Sequence, residues 1–155
     1  MADKEIKFLK EWTIRYVKNK DVISKKITSL NEKDNEFIVQ KGEIEHKYLI
    51  IPVINDTDSI INTAAEYEHG KTLICFHTKS NFEFLIKNWG IFVDLGRNFI
   101  VYFINPFSKT ERVLSICPYT HHLISDKDSL VLGLKTMAEN VEFTTEDEIK
   151  KIVNS

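Results

Sequence analysis

Apolar positions recur along this chain with two different periods. At 99–104 six consecutive residues, Phe-Ile-Val-Tyr-Phe-Ile, are apolar or aromatic. A strand points successive side chains to opposite faces, so such a run predicts a strand covered on both sides. Asn105-Pro106-Phe107-Ser108 carries turn residues, and the mixed segment 112–117 predicts an antiparallel return. Alternation or apolar runs predict further strands over 36–40, 43–54 and 72–77, the first two joined as a hairpin at Lys41-Gly42. Pro52 has no amide to give a ladder, so the strand 43–54 must have an unpaired side or a bulge there.

Between the strands the period lengthens to that of a helix. Ile6, Leu9, Tyr16 and Val17 predict a helix from Asp3 to about residue 17. Ile23, Ile27 and Leu30 fit a second helix capped by Asp21, although 22–30 also suits a strand. Asp56-Thr57-Asp58 starts a helix over 58–68 that Gly70 would stop. Ser80-Asn81-Phe82-Glu83 has the form of a capping box, with Phe82, Ile86, Trp89 and Phe92 following. Residues 119–125 read as irregular or one short turn. Leu130, Leu134, Met137 and Val141 mark a helix opened by Ser125–Asp128, and Thr145 with Glu148 caps a last short one.

These elements predict an α/β fold in one domain, residues 1–155. The sheet is mixed and five-stranded, with helices packed over it. Strands 43–54, 72–77 and 98–105 are joined by helical crossovers and should be parallel; 36–40 and 112–117 should be antiparallel hairpin partners. An α+β sheet is the alternative, if the helix at 58–68 only decorates a loop.

Composition narrows the function classes. The chain has 155 residues, 43% hydrophobic and 28% charged, as in a soluble globular protein. No apolar run reaches the roughly 20 residues of a membrane span, and the charged N-terminus lacks a signal-like segment, which together predict a cytoplasmic protein without a membrane partner. The net charge of −2 sets up no strong field, but the first fifty residues hold 11 Lys/Arg against 9 Asp/Glu. The five glycines stand apart at 42, 70, 90, 96 and 133, so no phosphate loop or dinucleotide fingerprint exists.

The candidate chemistry lies at the carboxyl ends of the predicted parallel strands, where open α/β sheets tend to bind ligands. Those ends deliver Asp56 and Asp58, then His77-Thr78-Lys79, then Asn105, and the following loop adds Lys109 and Arg112. Cations and helix amides there suit a phosphate-bearing ligand. The leading expectation is therefore a small binding or interaction domain, with no assigned catalytic residues. Homodimerisation through an edge strand or an exposed aromatic is compatible with it.

Two alternatives come from different classes. A helix, three strands, a helix and a strand with an acid and a Glu-x-Lys would resemble the restriction-endonuclease-like fold. Such sites hold a divalent metal on a scissile phosphate. Glu45-His46-Lys47 with Asp34, or Asp56 with His77-Thr78-Lys79, supplies part of that pattern, and magnesium would be required only in that case. The other alternative is nucleic-acid binding through the N-terminal helices. No resident cofactor or metal is otherwise expected: Cys75-x-His77 and Cys117-x3-His121 have neither zinc-finger nor ribbon spacing, and they leave opposite sheet edges.

Overall fold

In the computed structural model, which describes residues 2–65, 69–126 and 128–154, the elements form an α/β fold with six strands in one mixed sheet. In chain order they are α1 (Ala2–Asp21), β1 (Ser29–Glu32), β2 (Glu36–Lys41), β3 (Ile44–Ile50), α2 (Asp58–Ala65), β4 (Gly70–Phe76), α3 (Lys79–Lys87), α4 (Trp89–Val93), β5 (Phe99–Ile104), β6 (Val113–Ile116), α5 (Pro118–Ile124), α6 (Leu130–Glu139) and α7 (Glu146–Asn154). Spatial order follows chain order, β1 to β6. The strands β3, β4 and β5 are parallel, and the outer pairings are antiparallel.

The sixth strand is β1, where a second helix was expected. Asp21 does not cap a helix. Its carboxylate accepts the amides of Lys26 and Ile27 at 2.9 and 3.0 Å and the Ser24 hydroxyl at 3.1 Å, closing a tight loop. Lys25 stands at φ 49° within it. The Thr28 amide then reaches Gln40 O at 2.7 Å and begins the pairing with β2. Ladder bonds to β2 outweigh the helical spacing of Ile23, Ile27 and Leu30, and Ile23 is left 95% exposed.

Other boundaries shift for local reasons. β3 ends at Ile50, yet the pairing drifts on through Ile51 N to Ile74 O and Phe76 N to Pro52 O, so Pro52 serves as an acceptor and its missing amide is not called upon. Gly70 opens β4 instead of stopping α2, and the end of the predicted helix at 66–68 lies outside the described residues. Thr78, not Ser80, caps α3, its hydroxyl accepting from Asn81 N at 3.1 Å. The expected single helix breaks at Asn88, whose side chain donates to Phe84 O. Residues 118–124 form a helix with Pro118 in its first turn, where a missing amide costs nothing. α6 starts at Leu130, later than expected, and Val141 lies beyond its end while staying buried. Thr145 and Glu148 do form a reciprocal capping box on α7.

Two cores sandwich the sheet. On one face Leu73, Cys75, Val101 and Phe103 meet Ile60 of α2, Phe82 and Leu85 of α3, Phe92 of α4 and Leu134 of α6. On the other, Phe37, Tyr48, Ile74 and Ile104 meet Leu9, Ile14 and Val17 of α1 and Ile149 and Ile152 of α7. This second face is incompletely covered towards β5 and β6. Ile100, Tyr102 and Val113 are only half-buried there and Ser115 is exposed. The apolar run at 99–104 thus does not have both faces fully closed.

Candidate functional site

The carboxyl ends of β3, β4 and β5 are closed by the protein's own groups. Asn81 is fully buried; it donates to Pro52 O and Phe76 O and accepts from Ile54 N, each at 2.9 Å. It therefore fills the crevice between β3 and β4. The segment 140–145, between α6 and α7, crosses the ends of β4 and β5. Thr144 N bonds His77 O at 2.7 Å, and Asn105 Nδ2 donates to Glu142 O at 2.6 Å.

His77 belongs to this closure. Its Nε2 lies 2.9 Å from Ala138 O and 3.1 Å from Val141 O. Both partners are carbonyls, so Nε2 carries the proton and donates to both. The ring stacks on Phe143 at 4.4 Å and meets Phe103 edge-on. Nδ1 has no hydrogen-bond partner among the described residues. Burial holds the imidazole below its ordinary pKa, against the two carbonyl bonds.

The other expected residues are placed as follows. Asp56 is exposed and accepts from the Ser59 amide and hydroxyl at the start of α2. Asp58 is exposed on the first turn of α2. Thr78 is the α3 cap. Lys79 is exposed, with its ammonium 6.0 Å from the Phe143 ring centroid. Lys109 is exposed in the β5–β6 connection. Arg112 is exposed, and its Nε donates to Ser108 O at 3.0 Å.

Arg112 leads to a different place. It lines a cleft of about 350 Å³ between α1 and the β5–β6 connection, with Trp12, Arg15, Tyr16 and Asn19 on the helix side and Thr110, Glu111 and Val113 opposite. The cleft sits over the half-covered part of the sheet. Trp12 stacks on Tyr16 at 5.5 Å and 15°, and Tyr16 meets Tyr102 edge-on at 6.2 Å. Phe8 and Phe107 stack at 6.4 Å and fasten the helix to the same connection. The Lys20 ammonium is 4.7 Å from the Tyr16 centroid, and its hydrogen bond to the Tyr16 side chain raises its pKa, against some desolvation. Burial, with Tyr102 and Tyr16 nearby, pushes the Tyr48 phenol up, and burial does the same for Tyr102.

The charges in this cleft are available. Among the described residues the ion pairs within 4 Å are Lys10–Glu32 and Lys47–Glu36, so neither guanidinium is paired with a carboxylate. A larger hollow of about 770 Å³ beside the start of α1 differs: Asp3, Glu11, Glu32 and Asp34 face Lys7 and Lys10, and Lys10 is engaged by Lys33 O at 2.7 Å. The cleft had a legible signal in the chain. Trp12, Arg15, Tyr16 and Asn19 fall at i, i+3, i+4 and i+7, one helical stripe beside the core stripe. The place of Tyr16 on the core stripe that predicts α1 conceals it.

The Glu-x-Lys motif lies elsewhere. Glu45 and Lys47 share a face of β3, and Lys47 Nζ is 2.7 Å from Glu36 Oε2. Gln40 is opposite Glu45 in the ladder, and Asp34 lies in the β1–β2 turn beyond Glu36, the far end of β2, about 13 Å along that strand. Among the described residues no three His, Cys, Asp or Glu side chains are grouped to hold a metal ion. Burial pushes the Cys75 thiol up, and Cys117 stands at the cap of α5. No helix among the described residues is long and apolar enough to cross a membrane. No family model, curated protein or solved structure matches the chain.

Proposed function

We propose that this chain is a binding domain that takes a phosphate-bearing ligand with a flat ring, a nucleotide in the broad sense, in the cleft between α1 and Arg112. One observation carries the reading: Arg15 and Arg112, neither paired with a carboxylate among the described residues, line the same cleft as the stacked Trp12–Tyr16 pair. A guanidinium is planar and weakly hydrated and presents a fork of donors that matches phosphate. An aromatic surface gives a base or another flat ring something to stack on. The Asn19 amide can both donate and accept, as recognition of a ring edge needs.

Titration of adenosine monophosphate and thymidine monophosphate, followed by amide NMR with and without magnesium, tests the reading. Shifts should centre on residues 12–19 and 110–113, and Arg15→Ala or Arg112→Ala should weaken binding by about tenfold, as for loss of one charge-assisted contact. Shifts confined to 57–59 and 78–81 would move the site to the strand ends with Lys79. A spectrum unmoved by either nucleotide would end the proposal.

A further inference from the structure

The cleft is sized for little more than one nucleotide, yet cationic surface continues beyond it. Drug-sized ligands occupy pockets of roughly 300–1,000 Å³, and this one is about 350 Å³. From Trp12 to Lys20, helix α1 carries Arg15, Lys18 and Lys20 and no acid. Lys20 lies against Tyr16, one helical turn beyond it on α1. The next residue, Asp21, is a carboxylate already satisfied by its own loop amides. That loop then presents Lys25 and Lys26, both exposed. Lys41, at the end of β2, is exposed too and close enough to lower the pKa of both Asp21 and His46. Val22 and Ile23 stand exposed among these lysines, 61% and 95%, and offer an apolar surface beside them.

A free nucleotide seated between Arg15 and Arg112 would use none of Lys20, Lys25, Lys26 or Lys41. A strand leaving the cleft along the end of α1 would use them as phosphate contacts and could lay a further base on Val22 and Ile23. Stacking on Trp12 requires an open base face, which a duplex hides and a single strand offers; the Tyr16 ring itself is held between Trp12 and the Lys20 ammonium. We infer that the ligand is single-stranded nucleic acid, bound with one nucleotide in the aromatic cleft and its backbone running over Lys20 towards Lys25, Lys26 and Lys41. This rests on the cleft being the nucleotide site proposed above.

The test uses the full chain and three probes: labelled decathymidylate by fluorescence anisotropy, thymidine monophosphate by competition, and a ten-pair duplex. Decathymidylate should bind at least about tenfold more tightly than the monophosphate, with log affinity falling against log salt at a slope of about −3.5 for five phosphates neutralised, one at the arginine pair and one at each of the four lysines. The triple variant Lys25→Ala/Lys26→Ala/Lys41→Ala changes only exposed side chains, and its melting curve checks that it folds. It should lose about tenfold for decathymidylate and leave the monophosphate unchanged; Trp12→Ala should weaken both. If the monophosphate binds and decathymidylate binds no better, or the triple variant binds it like wild type, the strand inference fails and the nucleotide cleft stands. Equal affinity for the duplex also overturns it. Binding of neither the monophosphate nor the oligomer overturns both readings.

Discussion

The His46 ring occupies the space where a side chain at Gly70 would stand. The two residues are register partners across the parallel β3–β4 ladder, and a Cβ built on Gly70 would collide with His46 Nδ1 and Cε1. The ring has little room to yield: Nε2 is 2.6 Å from Thr72 Oγ1, and the Tyr48 ring lies at 4.7 Å. Gly70→Ala should therefore destabilise by about 1–3 kcal/mol, the usual cost of overpacking. The double variant Gly70→Ala/His46→Ala should cost less than the sum of the two single changes. Urea unfolding of all four proteins measures that coupling, and simple additivity would show that the contact is not what excludes a side chain.

The same histidine makes stability depend on pH. Burial, assisted by the nearby Lys41 charge, pushes its pKa down to about 4 from an ordinary 6.5. Between those values the unfolded chain binds the proton and the folded one does not, so unfolding is favoured as pH falls through that window. Stability should be full above pH 6.5 and decline towards pH 4, by at most about 3 kcal/mol from this residue. His77, also depressed by burial, acts with the same sign. His46→Gln should shallow the slope between pH 6.5 and 4.5 in urea titrations without abolishing it. A wild-type protein equally stable at pH 7 and pH 5 would contradict both assignments.

His77 holds the segment 140–145 across the strand ends through one shared donor. His77→Phe keeps a ring against Phe143 and leaves the buried carbonyls of Ala138 and Val141 without that donor. The expected loss is about 1–3 kcal/mol, the penalty for a buried acceptor losing its donor, and it falls on Val141 O, because Ala138 O keeps the Val141 amide at 3.3 Å. The effect should also be local. Exchange of the Thr144 amide, bonded to His77 O, should quicken more than that of Val101 in the middle of β5. Uniform change across the sheet would mean that His77 contributes to general packing only.

The crossover rule read the parallel core correctly because β-α-β connections leave few topologies open: three parallel strands and two antiparallel partners were legible. β1 was legible only as the alternative strand reading of 22–30, because Ser29, Asn31 and Glu32 are too polar to carry an alternation and the strand is held by its pairing with β2. The strand ends were located, but their state was not. His77 and Asn105 look like ligand-facing groups until the segment 140–145, some forty residues or more downstream, supplies backbone partners for their side chains. No local pattern announces such a long-range closure. Arg112 was legible as a candidate, whereas its neighbours on α1 were absorbed into the core because amphipathic spacing alone does not tell a buried aromatic from one flanking a cleft.

Lys47 offers a direct comparison between packing and catalysis. It is part of Glu45-His46-Lys47 and is nearly buried against Glu36, their side chains 6% and 16% exposed, with Nζ 2.7 Å from Oε2. The pair is diagonal across the β2–β3 ladder, since Lys47 faces Ile38 and Glu36 faces Leu49. Removing one member strands a charge in a low-dielectric setting, so Lys47→Ala should destabilise by about 3–5 kcal/mol. Replacing both by apolar groups, Glu36→Leu/Lys47→Met, should cost less than the sum of the two single changes, because the charge that each single change strands opposite the other is gone. Glu45 is only half-buried, and Glu45→Ala should change stability by less than about 0.5 kcal/mol. Urea unfolding checks these variants. A metal-assisted nuclease would behave otherwise: Glu45 would hold the ion and Lys47 would assist the attacking water. Magnesium-dependent cleavage of an oligonucleotide by the wild-type protein, lost in the well-folded Glu45→Ala variant, would show that the motif is catalytic and that its ion pair is not merely structural.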